Sequence, residues 1–181
     1  TMDDKQQDVL TFLPKIFGRD IHKIIMNKSY RNTIEIASYA NKLAGIKDME
    51  LFERHGAPVE EKIFADVEKA AQEIAEVLKL GEEEYETAAV VLRTEKEAEK
   101  MWLILKELLG EKGFDVKECL SYLDRNSTNF KKGLTVTTFY LAKGLEFDQV
   151  FAIYTTQDNT PLHRQARYIC ATRALHELYM Y

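Results

Sequence analysis

Lys143-Gly144-Leu145-Glu146-Phe147-Asp148 runs straight into the apolar stretch Gln149-Val-Phe-Ala-Ile-Tyr154, and Tyr168-Ile-Cys-Ala-Thr-Arg173-Ala follows about 25 residues after the first segment begins. A glycine turn feeding a short apolar run of β-branched and aromatic residues reads as the entry to a buried strand. Asn159 and Thr160, followed by Pro161, are start signals for a helix that runs to about Ala174 and carries Arg173 near its end. Glu177–Tyr181 (ELYMY) then reads as a final strand. Strand, helix, strand within some 35 residues is the unit of a parallel sheet.

Working outward, the same alternation repeats. Leu134–Thr138 (LTVTT) and Thr87–Leu92 (TAAVVL) read as strands. Thr94 with Glu97 forms a capping box that opens a helix with the stripe Ala98, Met101, Trp102, Leu105, Leu108 and Leu109, ending near Gly110–Gly113. Met101 and Trp102 are read as core. Glu60–Leu80 predicts one long amphipathic helix, and Met49–Val59 a loop or short edge strand. Phe114–Lys132 is irregular, with a short strand near Val116. His22–Asn27 reads as a buried strand, and Asn32 with Glu35 predicts the start of a helix packed through Ile36, Ala37, Ala40, Leu43 and Ala44 and closed by Gly45. Residues 1–20 read as a short helix or arm, as if sequence upstream were missing. The expectation is an α/β domain over 21–181: a mostly parallel sheet with helices on both faces.

The bulk composition narrows the class. With 181 residues, 45% hydrophobic and 30% charged, the chain suits one well-buried globular domain. No apolar run reaches the roughly 18 residues of a membrane span, and no secretion signal opens the sequence. Cys119 and Cys170 have no CxxC spacing and read as core thiols of a reducing, cytoplasmic protein. His22, His55, His163 and His176 are dispersed, so no metal site is expected. The net charge of −5 argues against a polyanionic partner, but it is uneven. Residues 131–181 hold six Lys/Arg against four Asp/Glu, while the acidic excess lies upstream, mostly near Glu60–Glu86.

Three features carry chemistry. Tyr30-Arg31 lies between a predicted strand and a predicted helix, Glu146 in the turn before a buried strand, and Arg173 at a helix end. An aromatic ring beside an arginine suits a nucleobase and a phosphate, a carboxylate suits ribose hydroxyls, and a further arginine suits charge developing on a transferring phosphoryl group. Each has a plainer reading: a surface Tyr-Arg pair, a Glu146–Lys143 ion pair, or Arg164, Arg167 and Arg173 as a solvated helix face.

Ser29-Tyr30-Arg31-Asn32-Thr33 resembles motif IV of superfamily 1 helicases of the UvrD/Rep type. Thr138-Phe-Tyr-Leu-Ala-Lys-Gly-Leu-Glu146-Phe-Asp resembles their motif V, and Arg167-Tyr-Ile-Cys-Ala-Thr172-Arg173-Ala their motif VI. Ala88–Thr94 is similar to the arginine-ended strand between motifs IV and V, and Tyr-Leu-Ala-Lys-Gly is closest to the HelD or helicase IV branch. The resemblance implies the second RecA-like domain (2A) of a DNA helicase, a fold of the P-loop NTPase type. It implies that Tyr30 stacks on adenine, that Arg31 and Arg173 reach the γ-phosphate with Arg173 as arginine finger, and that Gly144 and Glu146 touch the nucleotide, Glu146 at the ribose. Thr138, Tyr140, Arg93 and Thr94 would line a single-stranded DNA track. Two departures stand out. Tyr140 replaces a common His, and Asp115–Leu134 is too short for the large 2B insertion that most members carry.

No GxxxxGK[ST] occurs, and no Asp-Glu pair ends an apolar strand. The expectation is therefore half of a composite site, with ATP shared and Mg²⁺ held by an N-terminal RecA-like domain (1A) of the same polypeptide. Alone, this chain is expected to hydrolyse no ATP. Alternative readings are a binding module of a HelD-like protein that remodels RNA polymerase, and a degenerate domain without an ATPase partner.

Overall fold

The computed structural model describes residues 32–46, 54–124, 132–142, 144–153 and 160–181. In chain order the elements are α1 (Ile34–Leu43), β1 (Glu60–Glu61), α2 (Val67–Val77), β2 (Thr87–Leu92), α3 (Glu95–Glu111), α4 (Val116–Cys119), β3 (Leu120–Tyr122), β4 (Gly133–Thr138), β5 (Phe147–Ala152), α5 (Pro161–Thr172) and β6 (Ala174–Met180). Among the described residues the strands form one six-stranded sheet in the order β1-β6-β5-β2-β4-β3, every pairing parallel.

The sheet is covered on both faces, as an all-parallel sheet requires. Successive strand residues point to opposite faces, and each face meets its own helices. Ala89 and Val91 of β2, Val150 and Ala152 of β5 and Leu178 of β6 pack against Ile36 and Ala40 of α1 and Ala166, Ile169 and Cys170 of α5. Ala88, Val90 and Leu92, with Leu134, Val136 and Phe151, pack against Ile74 of α2 and Met101, Leu105 and Leu109 of α3. The near-continuous apolar run of β2 is what burial on two faces demands. No helix among the described residues is long and apolar enough to cross a membrane.

Several expectations are corrected. The cap of α1 is Thr33, whose hydroxyl accepts the Ile36 amide; Asn32 is buried and donates its side-chain amide to the Ala174 carbonyl. Glu35 reaches across to His55 and the Gly56 amide, so it fastens the loop before β1 and forms no capping box. The long helix expected over 60–80 is only α2. Glu60 and Glu61 extend the sheet edge beside Tyr179 and Met180, and the Asp66 carboxylate starts the helix by accepting the Lys69 amide. Ile63, which an amphipathic helix over 60–80 would turn inward, is 78% exposed. At the other end Gln149 accepts the Lys79 amide and donates to the Val77 carbonyl, replacing the next helical turn. The strand expected near Val116 is a single helical turn there, and the strand follows at Leu120. Cys170 is buried, but Cys119 is only half-buried. The strand expected at His22–Asn27 lies outside the described residues.

Gly133 begins β4 with φ +105°, and a Cβ there would stand 2.3 Å from the Cys119 carbonyl oxygen. Only glycine allows this approach. The β4-to-β5 connection is also unusual. Parallel strands are ordinarily joined through a dozen or more residues, often a helix. Here residues 139–146 suffice, with turns closed by the Ala142 amide on the Thr138 carbonyl and the Leu145 amide on the Ala142 carbonyl. Phe139 and Ala142 are buried in the α1/α5 core.

Candidate functional site

The parallel sheet has an amino rim, where strands begin, and a carboxyl rim, where they end. At about 3.3 Å per residue the six-residue strands separate the rims by about 16–20 Å. Among the described residues, those singled out from sequence fall into two groups, one at each rim.

Arg173, Glu146 and Gly144 are at the amino rim. Arg173 ends α5 and Ala174 begins β6. The Phe147 amide donates to the Arg173 carbonyl at 2.8 Å, which brings the start of β5 to the end of α5. The Arg173 guanidinium donates to the Thr172 hydroxyl through Nε and Nη2 at 3.4 and 3.3 Å, and to the Leu145 carbonyl through Nη1 at 3.4 Å. Thr172 is itself fixed by donating to the Ile169 carbonyl at 2.8 Å. Arg173 is only 8% exposed, which overturns the solvated-face reading for this arginine. Burial lowers the guanidinium pKa from its ordinary value, and the charge of neighbouring Glu146 opposes that shift. Glu146 and Arg173, 27 positions apart by number, are thus electrostatic neighbours on one rim. Gly144 turns the chain at φ +81°, with open space around its Cβ direction, so it is required for backbone conformation alone.

The start of α1 is at this same rim. Asn32 bonds to Ala174, and Ile34 donates its amide to the Arg54 carbonyl. These contacts put the start of α1 at the rim opposite the carboxyl ends of the described strands, where open α/β sheets usually bind ligands. Tyr30 and Arg31, and Lys143 as the alternative partner of Glu146, lie outside the described residues.

Arg93, Thr94, Thr138 and Tyr140 are at the carboxyl rim. Arg93 follows β2 and bonds Glu97 at 3.1 Å. The Thr94 hydroxyl accepts the Glu97 amide and is spent as the α3 cap. Phe139 donates its amide to the Leu92 carbonyl, joining the ends of β4 and β2. The Tyr140 ring stands edge-on to Phe139, 5.5 Å between centroids. Thr138 is buried, and its hydroxyl has no hydrogen-bond partner among the described residues.

Two polar clusters escaped the sequence reading. On the amino rim Arg54 donates to the Leu175 carbonyl and bonds His176, which lies 3.4 Å from Asp148; Asp148 accepts the Glu86 and Thr87 amides. Beside it Glu177 accepts from Lys79, Tyr85, Tyr179 and Gln149. These groups come from five separate stretches of chain, and no local spacing announces them. Among the described residues no group of three or more His, Cys, Asp or Glu could hold a metal ion.

Residues 133–181, from β4 to the last residue of the sequence, match the family described as UvrD-like helicase C-terminal domain. A comparison with curated proteins finds no match. Among solved structures the chain is similar to the C-terminal domain of a possible DNA helicase from Lactobacillus plantarum WCFS1, with 24% identity, a TM-score of 0.61, and 83% of this chain and 84% of that one covered. That likeness is one of fold. The family match spans the segment that holds Thr138, Tyr140, Gly144, Glu146 and Arg173.

Proposed function

We propose that this chain is the second RecA-like motor domain of an ATP-driven DNA helicase, and that its two rims do different work. On the amino rim Arg173 serves as arginine finger for the γ-phosphate, and Glu146 and Gly144 take the ribose side of the nucleotide; Tyr30 and Arg31, outside the described residues, are assigned the adenine platform and a second phosphate contact. On the carboxyl rim Thr138 and Tyr140, with Arg93 and Thr94 beside them, line the path of a single strand. The phosphate-cradling loop and the Mg²⁺ ligands belong to a second RecA-like domain, since this sequence has no phosphate-binding loop. Nucleotide closes the two domains on each other and hydrolysis releases them, so the carboxyl rim steps along the strand.

The observation that carries this reading is the buried, pre-oriented guanidinium of Arg173 beside Glu146, inside the segment that matches the helicase family. A guanidinium held by a hydroxyl and a carbonyl keeps its charge for an incoming anion. An arginine finger contributes about 10³–10⁵ in rate to a site that already holds nucleotide.

The test is made on the protein in which this domain is joined to a phosphate-binding-loop domain. Arg173→Ala is expected to lower ATP turnover by about a thousandfold or more. Binding of a fluorescent ATP analogue should persist, and Arg173→Lys should recover little. Normal turnover by the alanine variant would refute the reading.

A further inference from the structure

Between the C-terminal half of α1 and the N-terminal half of α5 lies a cavity of about 740 Å³, lined by Tyr39, Lys42, Glu61, Arg164, Arg167 and Tyr168 among others. Glu61 pairs with Met180, the last residue of β6, so the cavity opens on the carboxyl rim. Arg164 precedes Arg173 by nine helical positions, about 13 Å along α5. Arg164 thus stands away from the amino rim, while Tyr168 at the inner end of the wall is within electrostatic reach of Arg173. Its volume falls within the roughly 300–1,000 Å³ of small-ligand sites.

Two of its cations have no acidic partner among the described residues, whereas several lysines elsewhere do. Lys62, Lys79 and Lys112 each hold a carboxylate, on Glu73, Glu177 and Glu76 respectively. Lys42 and Arg164, both exposed, have no acidic partner among the described residues. Arg167 lies close enough for its charge to act on the Tyr39 hydroxyl. The one acid in its lining, Glu61, is close enough to the half-buried Tyr39 hydroxyl to act on it. The result is a positively charged recess with an aromatic ring in its wall, in a chain whose net charge is −5.

We propose that this recess is a second single-strand site: a nucleotide unit enters it with its phosphates against Lys42 and Arg164 and its base on Tyr39. Cations that track the backbone beside rings that take bases are what single-strand binding requires. An acidic peptide would use the cations and leave the ring idle. The choice of a single strand rests on the motor reading, and the recess shares the carboxyl rim with Thr138 and Tyr140. Only two strands, β5 and β2, separate β6 from β4 in the sheet, about 15 Å from β6 to β4 at roughly 4.8 Å per strand. One strand of nucleic acid could engage both places.

The test is fluorescence anisotropy of labelled oligothymidylate with the whole chain, across a salt series. The pair Lys42→Gln with Arg164→Gln should weaken binding and make the log–log salt slope shallower by about 1.4, or about 0.7 per lost phosphate contact. Tyr39→Leu should weaken binding about 5- to 150-fold with the slope unchanged. The charge-keeping pair Lys42→Arg with Arg164→Lys should restore the slope. Tyr140→Ala, measured in parallel, separates the two readings. If it weakens binding and the Lys42/Arg164 pair does not, the recess is overturned and the motor reading stands. If oligothymidylate does not bind at all, the recess is overturned, and the Arg173→Ala turnover measurement decides the motor reading separately. If polyglutamate binds the unaltered chain as tightly and loses as much in the paired variant, the recess is a docking point for acidic peptides and the proposal is overturned.

Discussion

The Phe147 amide and the Arg173 carbonyl are bonded at 2.8 Å, so the residue that opens β5 and the residue that closes α5 are fastened to each other. The backbone under the Arg173 guanidinium is thereby fixed, and the remaining freedom of the side chain is restrained by Thr172 and Leu145. In the proposed role as arginine finger, Arg173 would gain from that restraint, because little reorganisation is left to be done when charge develops.

Thr172→Val removes the hydroxyl that holds Nε and Nη2 while keeping the shape of the side chain. The expected effect on the fold is about 1 kcal/mol, the usual net contribution of a hydrogen bond. In the protein carrying both motor domains, turnover should fall more than nucleotide affinity does. Steady-state kinetics with separate binding measurements would show it, and equal losses in both would mean that Thr172 positions nothing.

Two glycines with positive φ should respond differently to alanine. Gly133→Ala brings a Cβ against the Cys119 carbonyl and carbon, and a cost of about 3 kcal/mol or more is expected. Gly144→Ala meets open space and pays only for its φ, about 1–2 kcal/mol. Urea midpoints at fixed m-value would rank the two, and the reverse order would contradict the packing at β4.

Glu177 predicts a pH dependence. Burial pushes its carboxyl upward, but hydrogen bonds from Lys79, Tyr179 and Tyr85 outweigh this and hold it below the ordinary value of 4.5. A carboxyl with a depressed folded pKa contributes stability that is fully present above its unfolded value and is lost as the pH falls through the folded one. Stability should therefore decline as the pH drops below about 4.5, and Glu177→Gln should flatten that decline. At neutral pH the same variant should cost about 1.5–3 kcal/mol through its lost charge-assisted bonds. Denaturation at a series of pH values checks both.

Thr138 separates fold from function. Its buried hydroxyl has no partner among the described residues, so Thr138→Val removes a desolvated polar atom at nearly constant volume. We expect the fold to be unchanged or up to about 1 kcal/mol more stable. If the hydroxyl serves the strand path, oligothymidylate affinity should fall all the same. A thermal melt and an anisotropy titration on one sample decide it, and a destabilised variant would show that the hydroxyl had been satisfied.

What could be read in advance follows physical range. β2, α3 and α5 were legible within a residue or two, because apolar period, capping threonine and Pro161 all act locally. The sheet's parallel order followed from the alternation of elements. The end of α2 was not legible, since it is set by Gln149 from a strand 70 positions away. The Asn32 reading failed for a similar reason: a residue suited to capping was taken up instead by the Ala174 carbonyl. For the site, chain spacing identified Glu146 and Arg173 as chemically suitable, but their adjacency depends on the Phe147–Arg173 bond, which only the assembled sheet creates. The recess at Tyr39, Lys42 and Arg164 left no local mark beyond cations on a helix face.

The eight-residue link from Thr138 to Phe147 has a mechanical corollary. Fully extended, nine chain steps reach at most about 32 Å, and the turns closed on the Thr138 and Ala142 carbonyls shorten that reach toward the rim-to-rim distance of the sheet. On the proposed roles, a pull on Tyr140 at one rim would be passed to Gly144 and Glu146 at the other, so a single short link would couple the strand path to the nucleotide side.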